Sequence, residues 1–174
     1  MELKKYTWEM FDELPVVNHI KQCPSGDYSK IEDFLNCCSF DNNCKFENWA
    51  NFEQRCDFGQ KCEFGDYCNF ANHSTFKDYC IFGKGCIFGS NCNFGIHCIC
   101  EFGEFTNMVS YGGLDGYERI TCFFLLNNGE IFVRGGCCFS GSIDEWELQI
   151  KKSHTETVYL SSIQKAKAQL KMNS

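Results

Sequence analysis

Bulky and small residues alternate with a fixed beat through the middle of the chain. Phe stands at 40, 46, 52, 58, 64, 70, 76, 82, 88 and 94, and two residues before each comes Cys38, Cys44, Ala50, Cys56, Cys62, Cys68, Ser74, Cys80, Cys86 or Cys92, with Cys98 next in line. The period is six residues, too short for a helical repeat and right for one short strand and a corner. Gly59, Gly65, Gly83, Gly89 and Gly95 follow their Phe, where a tight corner would crowd a side chain. Outside this run the pattern changes. "YTWEMFDELP" reads as a short helix stopped by Pro15, "VVNHIKQCP" as a strand leading to the turn "SGDYS", and "KIEDFLN" brings Phe34 onto the first coil. Downstream, "ERITCFFLLNNGEIFVRGG" holds two β-rich runs around Asn127-Asn128-Gly129, a hairpin signal. Ser142 and Glu145 have capping-box spacing and open a helix from Ile143 to about Lys152. "TETVYLSSIQKAKAQLKM" forms a second helix, with Tyr159, Ile163, Ala166 and Leu170 near one face. The expected organisation is an N-terminal cap over 1–37, the repeat over 38–104, and a C-terminal α+β cap over 105–174, built from a β-hairpin and an αα-hairpin.

The hexad, a small residue, any residue, a bulky apolar one, Gly or an acid, then two variable positions, resembles the hexapeptide repeat of left-handed parallel β-helices. That resemblance implies a mainly β fold in which three hexads form the sides of a triangular coil, with the bulky residues inward. The run from Cys38 to Gly103 then makes about 3.7 coils, each adding about 4.8 Å. Three inward ladders follow: Phe40, Phe58, Phe76 and Phe94; Phe46, Phe64 and Phe82; Phe34, Phe52, Phe70 and Phe88. Cys100 takes the next Phe slot and closes the run. Pentapeptide-repeat proteins have a period of five, and this register never shifts by one.

Composition adds bounds. With 44% hydrophobic and 16% aromatic residues, the 174-residue chain has material for a core. A net charge of -7, spread along the chain, argues against direct nucleic-acid binding, which calls for a basic face. No stretch approaches the length of a membrane span, and the N-terminus lacks the apolar region of a secretory signal, so the expected location is the cytoplasm. Fifteen Cys raise disulfide, metal and filler readings. Ala50 and Ser74 in the Cys slot would orphan disulfide partners, and no C-x-x-C pair occurs, so the slot selects for size and no metal or cofactor is expected.

The position between the small residue and the Phe faces outward. It is polar early in the run and becomes Ile81, Ile87 and Ile99 later, with Ile81 and Ile99 one coil apart. Such residues mark burial, either under the C-terminal segment folding back or in a homo-oligomer, dimer or trimer. A protein-binding surface is expected at Asp57, Glu63, Asp66, Tyr67, Ile81, Ile87 and Ile99, where the acids, with Glu47 and Glu53, would meet a basic partner. An alternative nucleotide site would use Arg119 or Arg134 with Gly135 and Gly136 for phosphate, and Trp49, Tyr67 or Tyr111 to stack the base.

"LPVVNHIKQCPSGDYSKI", the Cys-x-Phe-Gly coils and "IFVRGGCCFSGSIDEWELQIKKSH" together resemble uncharacterised proteins of bacteriophages and prophages of gut Firmicutes. The likeness spans nearly the whole chain. It brings no established activity with it; phage accessory genes of this size often encode inhibitors of host immunity, so the expected role is a phage-encoded binding protein that holds an immune effector such as a CRISPR nuclease or sequesters a signalling nucleotide. The contrasting expectation from the repeat's resemblance is a trimeric acyltransferase, in which His73 or His97 would be the general base. Against it stand the short helix, the lack of a long loop and only four His.

Overall fold

The computed structural model describes residues 2–112, 120–135, 139–150 and 156–172. It is a parallel β-solenoid of about four turns, closed at one end by the N-terminal segment and continued at the other by an antiparallel extension. The N-terminal segment holds α1 (Trp8–Asp12), β1 (Val16–Val17), β2 (Ile20–Cys23) and β3 (Asp33–Phe34). The repeat supplies β4 (Cys38–Phe40), β5 (Lys45–Phe46), β6 (Asn51–Phe52), β7 (Asp57–Phe58), β8 (Glu63–Phe64), β9 (Asn69–Phe70), β10 (Thr75–Phe76), β11 (Ile81–Phe82), β12 (Ile87–Phe88), β13 (Asn93–Phe94) and β14 (Cys98–Cys100). Then come β15 (Gly103–Gly112), β16 (Ile120–Leu126), β17 (Ile131–Gly135), β18 (Phe139–Ser142), α2 (Ile143–Ile150) and α3 (Glu156–Met172).

Each third hexad lands in the same sheet. The orders are β1-β2-β4-β7-β10-β13, β12-β9-β6-β3, and β18-β17-β16-β15-β14-β11-β8-β5. The Phe ladders set this register. Phe58 stacks on Phe40 at 5.1 Å and on Phe76 at 4.9 Å, within 2° of parallel, and meets Phe64 edge-on at 5.0 Å. Stacked and edge-on pairs are the favoured aromatic geometries, each worth about 0.5–1.5 kcal/mol beyond the area buried. The second ladder begins earlier than the repeat does: Tyr28, 18 residues before Phe46, stacks on it at 5.6 Å, and Tyr6 covers Tyr28 at 4.5 Å.

The corners differ from expectation. The glycines that follow Phe have ordinary φ; the sharp bend falls on the last hexad position, where Trp49, Arg55, Lys61, Tyr67, His73, Tyr79 and His97 all adopt φ between 58° and 67°. The glycines serve a close approach from the coil beneath. Backbone N–H groups of Gln60, Asp66, Lys84 and Ser90 donate at 2.7 Å to the side-chain Oδ1 of Asn42, Asn48, Asp66 and Asn72, each 18 residues earlier. Ile96 does the same to Asp78 at 3.0 Å. A Cβ at Gly59, Gly65, Gly83, Gly89 or Gly95 would come within 2.5 Å of that oxygen. Where the corner beneath holds Gln54, Gln60 or Lys84, the matching residues are Ala71, Lys77 and Glu101.

"VVNHIKQCP" is an antiparallel hairpin, β1 with β2, because Asn18 and His19 both take positive φ, as a two-residue turn requires. β2 then joins β4 in parallel. At the other end β15 turns back antiparallel to β14, and β16 and β17 form the expected hairpin. Ser142 and Glu145 form the capping box: the Ser142 N–H donates to Glu145 Oε2 at 2.8 Å, and the Glu145 N–H to Ser142 Oγ at 3.3 Å. Both helices lie on one face of the extension, where Ile143, Trp146, Ile150, Ile163, Ala166 and Leu170 pack against Phe123, Leu125, Ile131 and Val133. The last residues expected of α2, up to Lys152, lie outside the described residues, as does the side chain of Tyr159. Among the described residues no helix is long and apolar enough to cross a membrane.

Candidate interaction surface

The outward positions sort into three columns. Ser39, Asp57, Thr75 and Asn93 share one sheet, Lys45, Glu63, Ile81 and Ile99 another, and Asp33, Asn51, Asn69 and Ile87 the third. The acidic candidates are therefore dispersed. Asp57 and Glu63 face outward from different sheets, and Asp66 sits at a corner holding the Lys84 N–H. Ile87 is half-buried on a side away from Ile81 and Ile99.

Ile81 and Ile99 do stand side by side in register. They are 44% and 41% exposed, which overturns the expectation that the C-terminal segment folds back over them. That segment instead continues the sheet along the solenoid axis, since β15 pairs with β14 edge to edge. Tyr79, 46% exposed, and Ile96, 64% exposed, extend the patch around the corner, where the His97 ring stacks on Tyr79 at 4.9 Å. His97 Nδ1 lies 2.8 Å from Glu104 Oε1, and Glu104 pairs across the ladder with Ile99. Hydrogen bonds from Asn127 and His97 hold the Glu104 carboxyl below its ordinary range.

The nucleotide candidates divide. Trp49 is 66% exposed and stacks on Tyr67 at 4.5 Å. The next residue of that corner is Gly85, whose absent side chain leaves space occupied by the Tyr67 ring and by Arg134 Nη2. Arg134 Nη1 lies 3.8 Å from Glu101 Oε1, which also accepts the Gly85 N–H at 3.3 Å. Trp49, Tyr67 and Arg134 thus share one corner. Tyr111 is on the opposite face of the extension, against Phe123, with its hydroxyl bonded to Gln169. Gly135 is a packing contact, since a Cβ there would lie 2.6 Å from the Trp146 ring. Arg119 and Gly136 lie outside the described residues.

His73 and His97 are at different corners, and among the described residues no three His, Cys, Asp or Glu side chains converge as a metal site would need. Every described cysteine is a free thiol. The repeat thiols donate to corner carbonyls, as Cys62 does to Asp41 and Cys80 to Gly59. Ser74, fully buried, makes the same kind of bond to Ala71, which is why it substitutes there. Hydrogen bonding to the neighbouring thiol of the column, Cys44 for Cys62 and Cys62 for Cys80, together with burial, pushes both thiols up to about 12. They stay protonated near neutrality, which suits filler and not thiolate chemistry. Comparison with protein-family models, with curated proteins and with solved structures finds no match for this chain.

Proposed function

We propose that this is a non-enzymatic binding protein that presents the patch of Tyr79, Ile81, Ile96 and Ile99 to a protein partner and holds it stoichiometrically. The observation that carries the reading is the exposure of four large side chains, Ile81 and Ile99 on strands and Tyr79 and Ile96 at the adjoining corner, beside the inward Cys80, Phe82 and Cys98, which are buried to 2% or less. An apolar patch on so stiff a support loses little entropy when covered. Glu63 beside it and Glu104 at its rim, in a chain of net charge -7, favour a partner with a basic rim. The resemblance to phage and prophage proteins favours, as that partner, an effector of host immunity met in the cytoplasm of an infected bacterium.

Affinity capture from a host lysate tests this, with intact mass determination of anything small that is bound. The wild type is expected to retain one host protein near equimolar ratio, the Ile81→Asp/Ile99→Asp double variant to lose it, and Trp49→Ala to keep it. Both isoleucines are exposed, so the double variant keeps the core intact. Capture that survives the double variant, a nucleotide as the sole bound species, or a chain that only self-associates through this patch would each overturn the reading.

A further inference from the structure

The last coil differs from every coil beneath it. Cys92 and Phe94 occupy inward slots that are buried to 5% or less in the lower rungs, yet both are only half-buried. The reason is the end of the sheet: β13 pairs with β10 below and has no strand above it among the described residues. The other two sides are closed. β14 is taken by β15, and above β12 the Cys122 thiol donates to the Phe88 carbonyl and Ser110 Oγ to the Gly89 carbonyl at 2.9 Å. At the start of β13 lies an open groove of about 570 Å³, bounded by Ser90, Cys92 and Asn93, by Asn107, Met108 and Ser110 of β15, and by Gln169 of α3.

The lower rungs state what this edge lacks. One coil down, the carbonyls of Ser74 and Phe76 accept the N–H groups of Asn93 and Gly95, and the His73 N–H donates to the Ser90 carbonyl. The equivalent groups of the last coil are the carbonyls of Cys92 and Phe94 and the N–H of Asn91, for which the structure records no partner among the described residues. Asn107 Nδ2 is buried beside the groove and also has none. A donor followed by two acceptors at strand spacing, beside a groove that Cys92 lines, matches a peptide main chain and not a compact small molecule.

We propose that this rim binds an extended peptide segment of a partner protein, added parallel to β13, with a small residue over Cys92 and a bulky apolar residue two positions on, over Phe94. This site is separate from the isoleucine patch and stands or falls independently of it. The test uses the full chain and two synthetic peptides: residues 86–95 of this protein with serine replacing both cysteines, as Ser74 already does in the repeat, and the same composition scrambled. Amide exchange read by mass spectrometry or NMR is expected to show Asn91 unprotected while His73 and Tyr79 are protected, and the ordered peptide to slow Asn91 exchange. Ser90→Trp, which fills the groove from an exposed rim position, is expected to weaken peptide binding by about tenfold or more. Ile81→Asp/Ile99→Asp is expected to bind the peptide as the wild type does. Protection of Asn91 in the free protein, equal binding of the scrambled peptide, or no binding of the ordered peptide at millimolar concentration would each sink the proposal.

Discussion

Gly65→Ala isolates the corner mechanism. Gly65 has ordinary φ, so on chain-entropy grounds alone alanine would stabilise the protein by about 0.4–1 kcal/mol. The space at Gly65 says the opposite. A Cβ would lie 2.4 Å from Asn48 Oδ1, 2.5 Å from Asn48 N and 2.7 Å from the Glu47 carbonyl carbon, so the corner beneath must move. Overpacking of this kind costs about 1–3 kcal/mol, and the Asp66 N–H to Asn48 bond at 2.7 Å, worth about 1 kcal/mol, is lengthened with it. The expected net loss is about 2 kcal/mol, or a fall of about 4–8 °C in the melting midpoint for a chain of this size. Urea denaturation of four proteins measures it: wild type, Gly65→Ala, Asn48→Ala and the double variant. Because both substitutions disrupt the same bond, the double variant should lose about 1 kcal/mol less than the sum of the single changes. Ala71→Gly, above a corner with no Asn or Asp, is the control, and it should lose about 0.4–1 kcal/mol. Gly65→Ala as stable as the wild type would refute the reasoning.

Three further outcomes follow from the same structure. Phe58→Ala removes a ring that is 1% exposed and contacts rings above, below and to either side, and calorimetry should show a loss of about 3–5 kcal/mol. Alkali should unfold the protein: thiols such as Cys62 and Cys80 titrate near 12 when folded against an ordinary value of 9.0, so their contribution is complete below 9 and is lost as pH rises through 12. A melting midpoint that stays flat above pH 9 in reductant contradicts this. Acid should release the Glu104 contact, because a carboxyl held below its ordinary 4.5 supports the fold above that value and ceases to as pH falls through its folded pKa. Glu104→Gln should flatten that acid limb by lowering the midpoint near neutrality while matching the wild type in acid.

The solenoid was legible because its signal is redundant: ten Phe at one spacing, with any single ring confirmed by its neighbours. Five of the corner bonds were equally present in the letters, as Asn or Asp followed 17 residues later by Gly, while Asn36 accepts the Gln54 N–H at 2.9 Å with Glu53 in the glycine's place; a pattern sought within one hexad does not reach a contact made between coils. Tyr28 keeps the spacing, six residues before Phe34 with Gly26 in the small slot, but Tyr in place of Phe and Glu32 where the next small residue would stand hide it as a rung. The path of the C-terminal segment depended on whether β14 would be covered or extended. Exposed Ile81 and Ile99 suggest covering, and only the antiparallel pairing of Cys98 with Phe105 decides for extension. The nucleotide constellation failed to assemble because strand alternation puts Tyr111 and Arg134 on opposite faces of one sheet, a consequence of the bulge between Phe105 and Asn107 and of the register it sets.

A period of three hexads per coil also makes the chain a graduated ruler. Inserting 18 residues lengthens it by about 4.8 Å and leaves every surface feature in angular alignment with the end pieces. Inserting six instead advances everything beyond the insertion by a third of a turn. Placed between β11 and β14, such an insertion would move Ile99 off the side that carries Ile81 while leaving both in well-formed rungs. Reach and facing direction can therefore be varied separately by a lineage or an engineer, in whole steps, without altering one interior residue.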